Sequence, residues 1–166
     1  AGVLTAVNVL FAGNAAASGG AVFNRGSLSI DKGIFTGNKA SGSGGAIANA
    51  AGTVRIDNSY FSANAAVDGG AVYLNREPSV LQMTGGVISG NTATGCGGGV
   101  YIYRTGSVCD LSGGRIENNT AKTGGGIYIN GSNSGKLNVS GAPVVKNNTA
   151  AGRANNVYLP SGKTLS

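Results

Sequence analysis

Three short apolar stretches recur in the same order along this chain of 166 residues. One follows a glycine pair, as in Val72-Tyr73-Leu74 and Ile127-Tyr128-Ile129. The next is Leu28-Ser29-Ile30, then Val54-Arg55-Ile56, Leu81-Gln82-Met83, Cys109-Asp110-Leu111 and Leu137-Asn138-Val139. The third centres on one large apolar residue three positions before an asparagine: Phe11, Phe35, Phe61, Ile88, Ile116 and Val145. Alternation of apolar and polar positions marks strands with opposite faces. The asparagines that close the third stretch, Asn14, Asn38, Asn64, Asn91, Asn119 and Asn148, are spaced by 24, 26, 27, 28 and 29 residues. Self-similarity at this period denotes a repeat architecture. Three short strands per repeat, joined by tight corners, predict an all-β fold: a single right-handed parallel β-helix over residues 1–166. It has about six coils of 24–30 residues, each lying about 4.8 Å above the last.

The corners carry their own pattern. Gly19-Gly20-Ala21-Val22, Gly44-Gly45-Ala46-Ile47, Gly69-Gly70-Ala71-Val72, Gly97-Gly98-Gly99-Val100 and Gly124-Gly125-Gly126-Ile127 keep step with the asparagines, with Asn155-Asn156-Val157 as a degenerate copy. Paired glycines admit positive φ and close backbone approach. Stacked asparagines are expected to hydrogen-bond along the axis as a structural ladder, and to take the left-handed conformation a corner needs. Alanine follows each by two positions (Ala16, Ala40, Ala66, Ala93, Ala121, Ala150), which suits a narrow interior corner.

Composition narrows the function classes. The 31 glycines follow no collagen period, and 41% hydrophobic residues argue against disorder. Charged residues make up only 11%; twelve Lys and Arg against six Asp and Glu leave a net +6. That balance favours acidic partners. No apolar run is long enough for a membrane helix. With no histidine and only Cys96 and Cys109, the chain offers no metal-ligand or haem motif and implies no cofactor. One disulfide could join the two cysteines, although Cys109 stands where other repeats place a buried Leu or Val.

The pairing of Phe-x-x-Asn with Gly-Gly-Ala-Ile/Val, as in Phe35-Thr36-Gly37-Asn38 with Gly44-Gly45-Ala46-Ile47, resembles the repeats of chlamydial polymorphic outer-membrane proteins. The passenger regions of that family are autotransported surface adhesins. From about residue 83 the repeats look more like those of other large secreted or wall-attached bacterial β-helix proteins. The resemblance implies a bacterial extracellular or cell-surface location and an adhesive role. Neither end reads as a capped rung. The chain is therefore expected to be a segment of a longer rod or a subunit that stacks end to end into a fibre.

Candidate chemistry is sparse. Phe23, Tyr73, Tyr101, Tyr128 and Tyr158 are predicted to point outward in one ladder, interrupted by Ala48, as a platform for a glycan or a protein. Arg25, Arg76 and Arg104 follow the same strand and could form a basic edge for a polyanion. Nucleic acid is not expected, because no reading element accompanies the charge. Asp31 and Asp57 occupy equivalent sites one rung apart, the beginnings of a carboxylate pair. No further acid joins them and general acid–base options are thin. The expectation is a non-catalytic adhesive or structural rod, with a fibre subunit second and a polysaccharide-active enzyme third.

Overall fold

The computed structural model describes residues 2–132 and 135–161. Four sheets, not three, run the length of a parallel β-solenoid of six turns. Sheet A holds Val3–Val7, Ser27–Asp31, Gly52–Asp57, Ser79–Met83, Ser107–Leu111 and Lys136–Val139. Sheet B holds Leu10–Ala12, Ile34–Thr36, Tyr60–Ser62, Val87–Ser89, Arg115–Glu117 and Val144–Lys146. Sheet C holds Ala15–Ser18, Lys39–Ser43, Ala65–Ala66, Thr92–Ala93, Thr120–Ala121, Thr149–Ala150 and an added strand, Arg153–Ala154. Sheet D holds Val22–Asn24, Ile47–Asn49, Val72–Leu74, Val100–Ile102, Ile127–Ile129 and Val157–Tyr158. Sheet C is the one the sequence pattern hides: it is built mostly from Ala, Thr and Ser, without a large apolar residue to mark its alternation.

Registers are in phase from coil to coil, so like residues stack. Phe11 faces Phe35 with centroids 4.5 Å apart, and Phe35 faces Phe61 at 4.6 Å. Above them come Ile88, Ile116 and Val145 in the same column. The inward column of sheet A is Leu28, Val54, Leu81, Cys109 and Leu137, each almost fully buried. The alanine ladder is the inward column of sheet C. Its small side chains let this wall approach the core closely, and Ala40 to Ala150 are buried accordingly.

At the corner between sheets B and C, each ladder asparagine from Asn14 to Asn119 donates its backbone N–H and its Nδ2 to the Oδ1 of the asparagine one coil on. For Asn38 these bonds are 3.0 and 2.9 Å, and the other four steps repeat them within 0.1 Å. From Asn38 onward Nδ2 also reaches a carbonyl of the preceding coil, such as Phe11 O or Phe35 O at 2.9 Å. The left-handed conformation falls not on these asparagines but on the residue before each: Gly13, Gly37, Ala63, Gly90, Asn118 and Asn147, at φ of 53–67°.

The glycine pairs answer to the coil above. A Cβ on Gly20, Gly45, Gly70 or Gly98 would lie 2.1–2.3 Å from the carbonyl oxygen of Gly45, Gly70, Gly98 or Gly125, one rung on. Sheet C ends differently from the others: Arg153–Ala154 folds back antiparallel onto Thr149–Ala150. Residues 162–166 lie outside the described residues.

Candidate functional site

The two outward features predicted from the sequence share one side of the rod, on sheet D and on the loops that carry the chain from sheet D to sheet A. Register places Phe23, Ala48, Tyr73, Tyr101, Tyr128 and Tyr158 in a single outward column. Their accessibility is not the predicted one. Tyr73 and Tyr101 are only 8% and 6% exposed, whereas Phe23 is 50% exposed.

The cause is a cover that alternation cannot reveal. Tyr103, one residue beyond its strand, packs on both Tyr73 (5.7 Å between centroids) and Tyr101 (5.6 Å). Tyr101 meets Tyr73 and Tyr128 edge to face at 5.3 and 4.9 Å, and Tyr128 stacks on Tyr158 at 4.8 Å. The rings pack on one another, edge to face or stacked, so Tyr73 and Tyr101 lie in a packed seam and do not stand open on the surface. Its other flank is the C-to-D corner, where Ser43 pairs with Asp68 and Cys96 pairs with Thr123. Ser43 lies beside Tyr73 there, and Cys96 beside Tyr128. Burial pushes the Tyr73 phenol up to about 12, with Tyr103 and Asp68 adding to it. Burial raises Tyr101 and Tyr128 as well, with Cys96 as the next contributor to each.

The disulfide considered between Cys96 and Cys109 is not formed; both thiols are free. Cys109 sits in the inward column of sheet A between Leu81 and Leu137, and burial raises its pKa strongly. Cys96 belongs to the outward tyrosine seam, and burial, then Asp68, raises its pKa too.

The arginines remain accessible. Arg25, Arg76 and Arg104 are exposed on the D-to-A edge. Arg25 lies over the Phe23 ring at 5.3 Å and Arg104 over Tyr103 at 4.9 Å, so two of the three guanidinium groups rest on aromatic faces. Between the third and fourth coils Arg76, Glu77, Arg104 and Thr105 line an open recess of about 510 Å³. The second coil contributes only Ala50 and Ala51 at this edge.

Four of the six acids, Asp31, Asp68, Asp110 and Glu117, are engaged by neighbouring groups. Asp31 and Asp57 are direct register partners, but Asn58 Nδ2 donates to Asp31 Oδ1 at 3.1 Å. Asp68 Oδ1 accepts from the backbone N–H of Cys96 at 2.9 Å, and Asp110 Oδ1 from Asn138 Nδ2 at 2.7 Å. Glu117 lies between Arg115 and Lys146, and the Arg115 hydrogen bond holds its carboxyl below the usual range. Among the described residues no group of three or more His, Cys, Asp or Glu could hold a metal ion. Among them, too, no helix is long and apolar enough to cross a membrane.

Two features escaped the sequence pattern. Asn24 and Asn49 form a second, short inward ladder on sheet D (Nδ2 to Oδ1, 2.8 Å), replaced in later coils by Leu74, Ile102 and Ile129. Sheet B presents an exposed apolar column of Leu10 (62%), Ile34 (45%) and Tyr60 (56%), continued by Val87 and broken by Arg115. The first residue of each asparagine unit's strand signals that column, but its significance lies in register across coils.

The right-handed β-helix region family matches residues 1–159, and the chain belongs to that family. Neither the curated proteins nor the solved structures compared with it give a match.

Proposed function

We propose that the chain is a non-catalytic rod of a bacterial surface or secreted protein. Its D-to-A edge attaches to an acidic polymer such as a sulfated or uronic-acid glycan. The observation that carries this reading is the recess flanked by Arg76 and Arg104, with Arg25 further along the same edge. Guanidinium groups suit carboxylate and sulfate oxygens because their planar fork donates two parallel hydrogen bonds. Resting Arg25 and Arg104 on aromatic rings reduces the freedom they lose when a ligand arrives. A polymer laid along the axis would meet arginine at coils one, three and four. The repeat resemblance to autotransported adhesins supports the same reading. The engagement of Asp31, Asp68, Asp110 and Glu117 by neighbouring groups supports a non-catalytic role.

The test is retention on immobilised heparin, with neutral dextran as control, across a salt gradient. Retention should fall as salt rises. Arg76→Ala and Arg104→Ala should each weaken binding about 2–5-fold, and Glu77→Gln should strengthen it by removing a competing anion. Equal retention on dextran, or binding unaffected in an Arg76→Glu/Arg104→Glu variant, would overturn the reading.

A further inference from the structure

We infer that residues 151–156 are a terminator of the solenoid: they close the asparagine ladder and bar another coil from stacking in register on the sixth. The inference rests on the side chains at these positions and holds whatever chain follows residue 166. It is independent of the ligand proposed above.

In the first five coils, each ladder asparagine has three groups served by the coil above. Its N–H and Nδ2 donate to the next asparagine's Oδ1. Its carbonyl accepts from the residue after that asparagine: Lys39 for Asn14, Ala65 for Asn38, Thr92 for Asn64, Thr120 for Asn91 and Thr149 for Asn119. Asn148 has all three groups satisfied from within its own coil. Its N–H and Nδ2 each donate to Asn156 Oδ1 at 3.1 Å. Its carbonyl accepts from the N–H of Asn155 at 2.8 Å. The antiparallel strand Arg153–Ala154 meanwhile covers the edge of Thr149–Ala150 that a further sheet C strand would use.

The same residues also obstruct. Ile127 N–H donates to Asn156 O as Val100 N–H does to Gly126 O, and Gly126 N–H donates to Asn155 O as Gly99 N–H does to Gly125 O. Asn155 therefore stands at the position of Gly20, Gly45, Gly70, Gly98 and Gly125, and Asn156 at that of Ala21, Ala46, Ala71, Gly99 and Gly126, where no earlier coil carries anything larger than alanine. At the first of these positions a Cβ in any earlier coil would lie 2.1–2.3 Å from a backbone oxygen of the coil above. At the second, a Cβ on Gly99 would lie 3.3 Å, and one on Gly126 2.8 Å, from Nδ2 of the next ladder asparagine. The side chain of Asn156 thus occupies the volume where a seventh ladder asparagine would sit, and accepts the bonds that asparagine would accept. Filling it meets the hydrogen-bonding demand of the last rung and excludes its successor, the task a capping repeat performs in solenoids.

The partner excluded is a parallel coil, whether from a following segment or from the first coil of a second copy. Amide hydrogen exchange at Asn148, referenced to Asn64, and sedimentation velocity of the whole chain test this together. Asn156→Ala should speed Asn148 exchange about 5–30-fold by orphaning a buried donor. Asn156→Asp, which keeps an acceptor oxygen, should leave it protected. Ala154→Gly/Asn155→Gly/Asn156→Ala, which restores the corner of the first three coils, should self-associate at concentrations where the natural chain does not. Unchanged Asn148 exchange in Asn156→Ala would overturn the closing role. A monodisperse triple variant, or axial rods formed by the natural chain, would overturn the barrier.

Discussion

Truncating Asn91 to alanine tests the ladder where it is fully enclosed. The side chain is 0% exposed and makes four hydrogen bonds. It accepts from the N–H and Nδ2 of Asn64, and it donates to Phe61 O and Asn119 Oδ1. Two of the partners retain other bonds: Asn64 Nδ2 still reaches Phe35 O, and Asn119 Oδ1 still receives the N–H of residue 91. The Asn64 N–H is left without its acceptor, and Phe61 O loses a donor. At roughly 1–3 kcal/mol for each buried group so deprived, Asn91→Ala should cost about 2–5 kcal/mol. That is a large share of the roughly 5–15 kcal/mol typical of a folded domain.

Asn14→Ala is the matched control. It stands at the exposed first step, and the N–H of residue 14 keeps its bond to Asn38 Oδ1. Only the Nδ2 bond to Asn38 is lost, so the cost should stay under about 1 kcal/mol. Asn91→Asp should not rescue the alanine variant, because a carboxylate would set oxygen against Phe61 O and Asn119 Oδ1. Urea unfolding followed by circular dichroism gives the comparison, with hydrogen exchange checking that the coils unfold together. If Asn91→Ala falls within about 1 kcal/mol of Asn14→Ala, the ladder is not a stabilising network and the argument fails.

Two further outcomes are expected. Gly70→Ala, whose Cβ would lie 2.3 Å from Gly98 O, should cost more than about 3 kcal/mol; Gly13→Ala, at φ +65° but facing open space, should cost only about 1–2 kcal/mol by the same denaturation assay. Alkaline destabilisation should follow from the tyrosine seam. The folded-state value of Tyr73 is raised to about 12 from 10.0, so the unfolded chain loses that proton first. Stability present below pH 10 should fall as pH rises towards 12, and Tyr73→Phe should flatten that limb in urea titrations taken at successive pH values.

Much of the fold was legible because the ladder residues act along the axis, where the sequence period is the spatial period. Phe35 above Phe11 and Asn38 above Asn14 follow from spacing alone. Sheet C was not legible, since Ala65–Ala66 and Thr120–Ala121 alternate between small residues and give no apolar beat. The outward direction of Tyr73 and Tyr101 was legible from alternation, but not their burial. That depends on Tyr103 and on a corner drawn from other coils, neither of which strand alternation reports. The disulfide reading failed for a similar reason: Cys109 follows the inward column, whereas Cys96 belongs to a corner whose outward seam emerges only with the coils assembled. At the last corner, Asn155-Asn156 reads as decay of the glycine motif. It becomes meaningful only once the glycines are seen to make room for a coil above.

Function in such a chain resides where a residue is released from the demands of the repeat. A residue that repeats on every rung is committed to neighbours above and below, as Asn91 is to Asn64 and Asn119. Altering it disturbs the rod before it alters any surface. A residue that departs from the repeat escapes that demand, so its identity answers to something else. Asn156 departs from the alanine or glycine of the earlier corners and answers to the end of the ladder. Tyr103, Arg104 and Arg76 depart from the short D-to-A loop of the second coil, and together they build the covered seam and the recess beside it. Arg115 departs from the apolar column of sheet B and brings Glu117 and Lys146 into an ionic cluster. The adhesive reading rests on departures of this kind, at Arg76 and Arg104, which is why substituting them should alter polyanion binding while leaving stability near that of the natural chain.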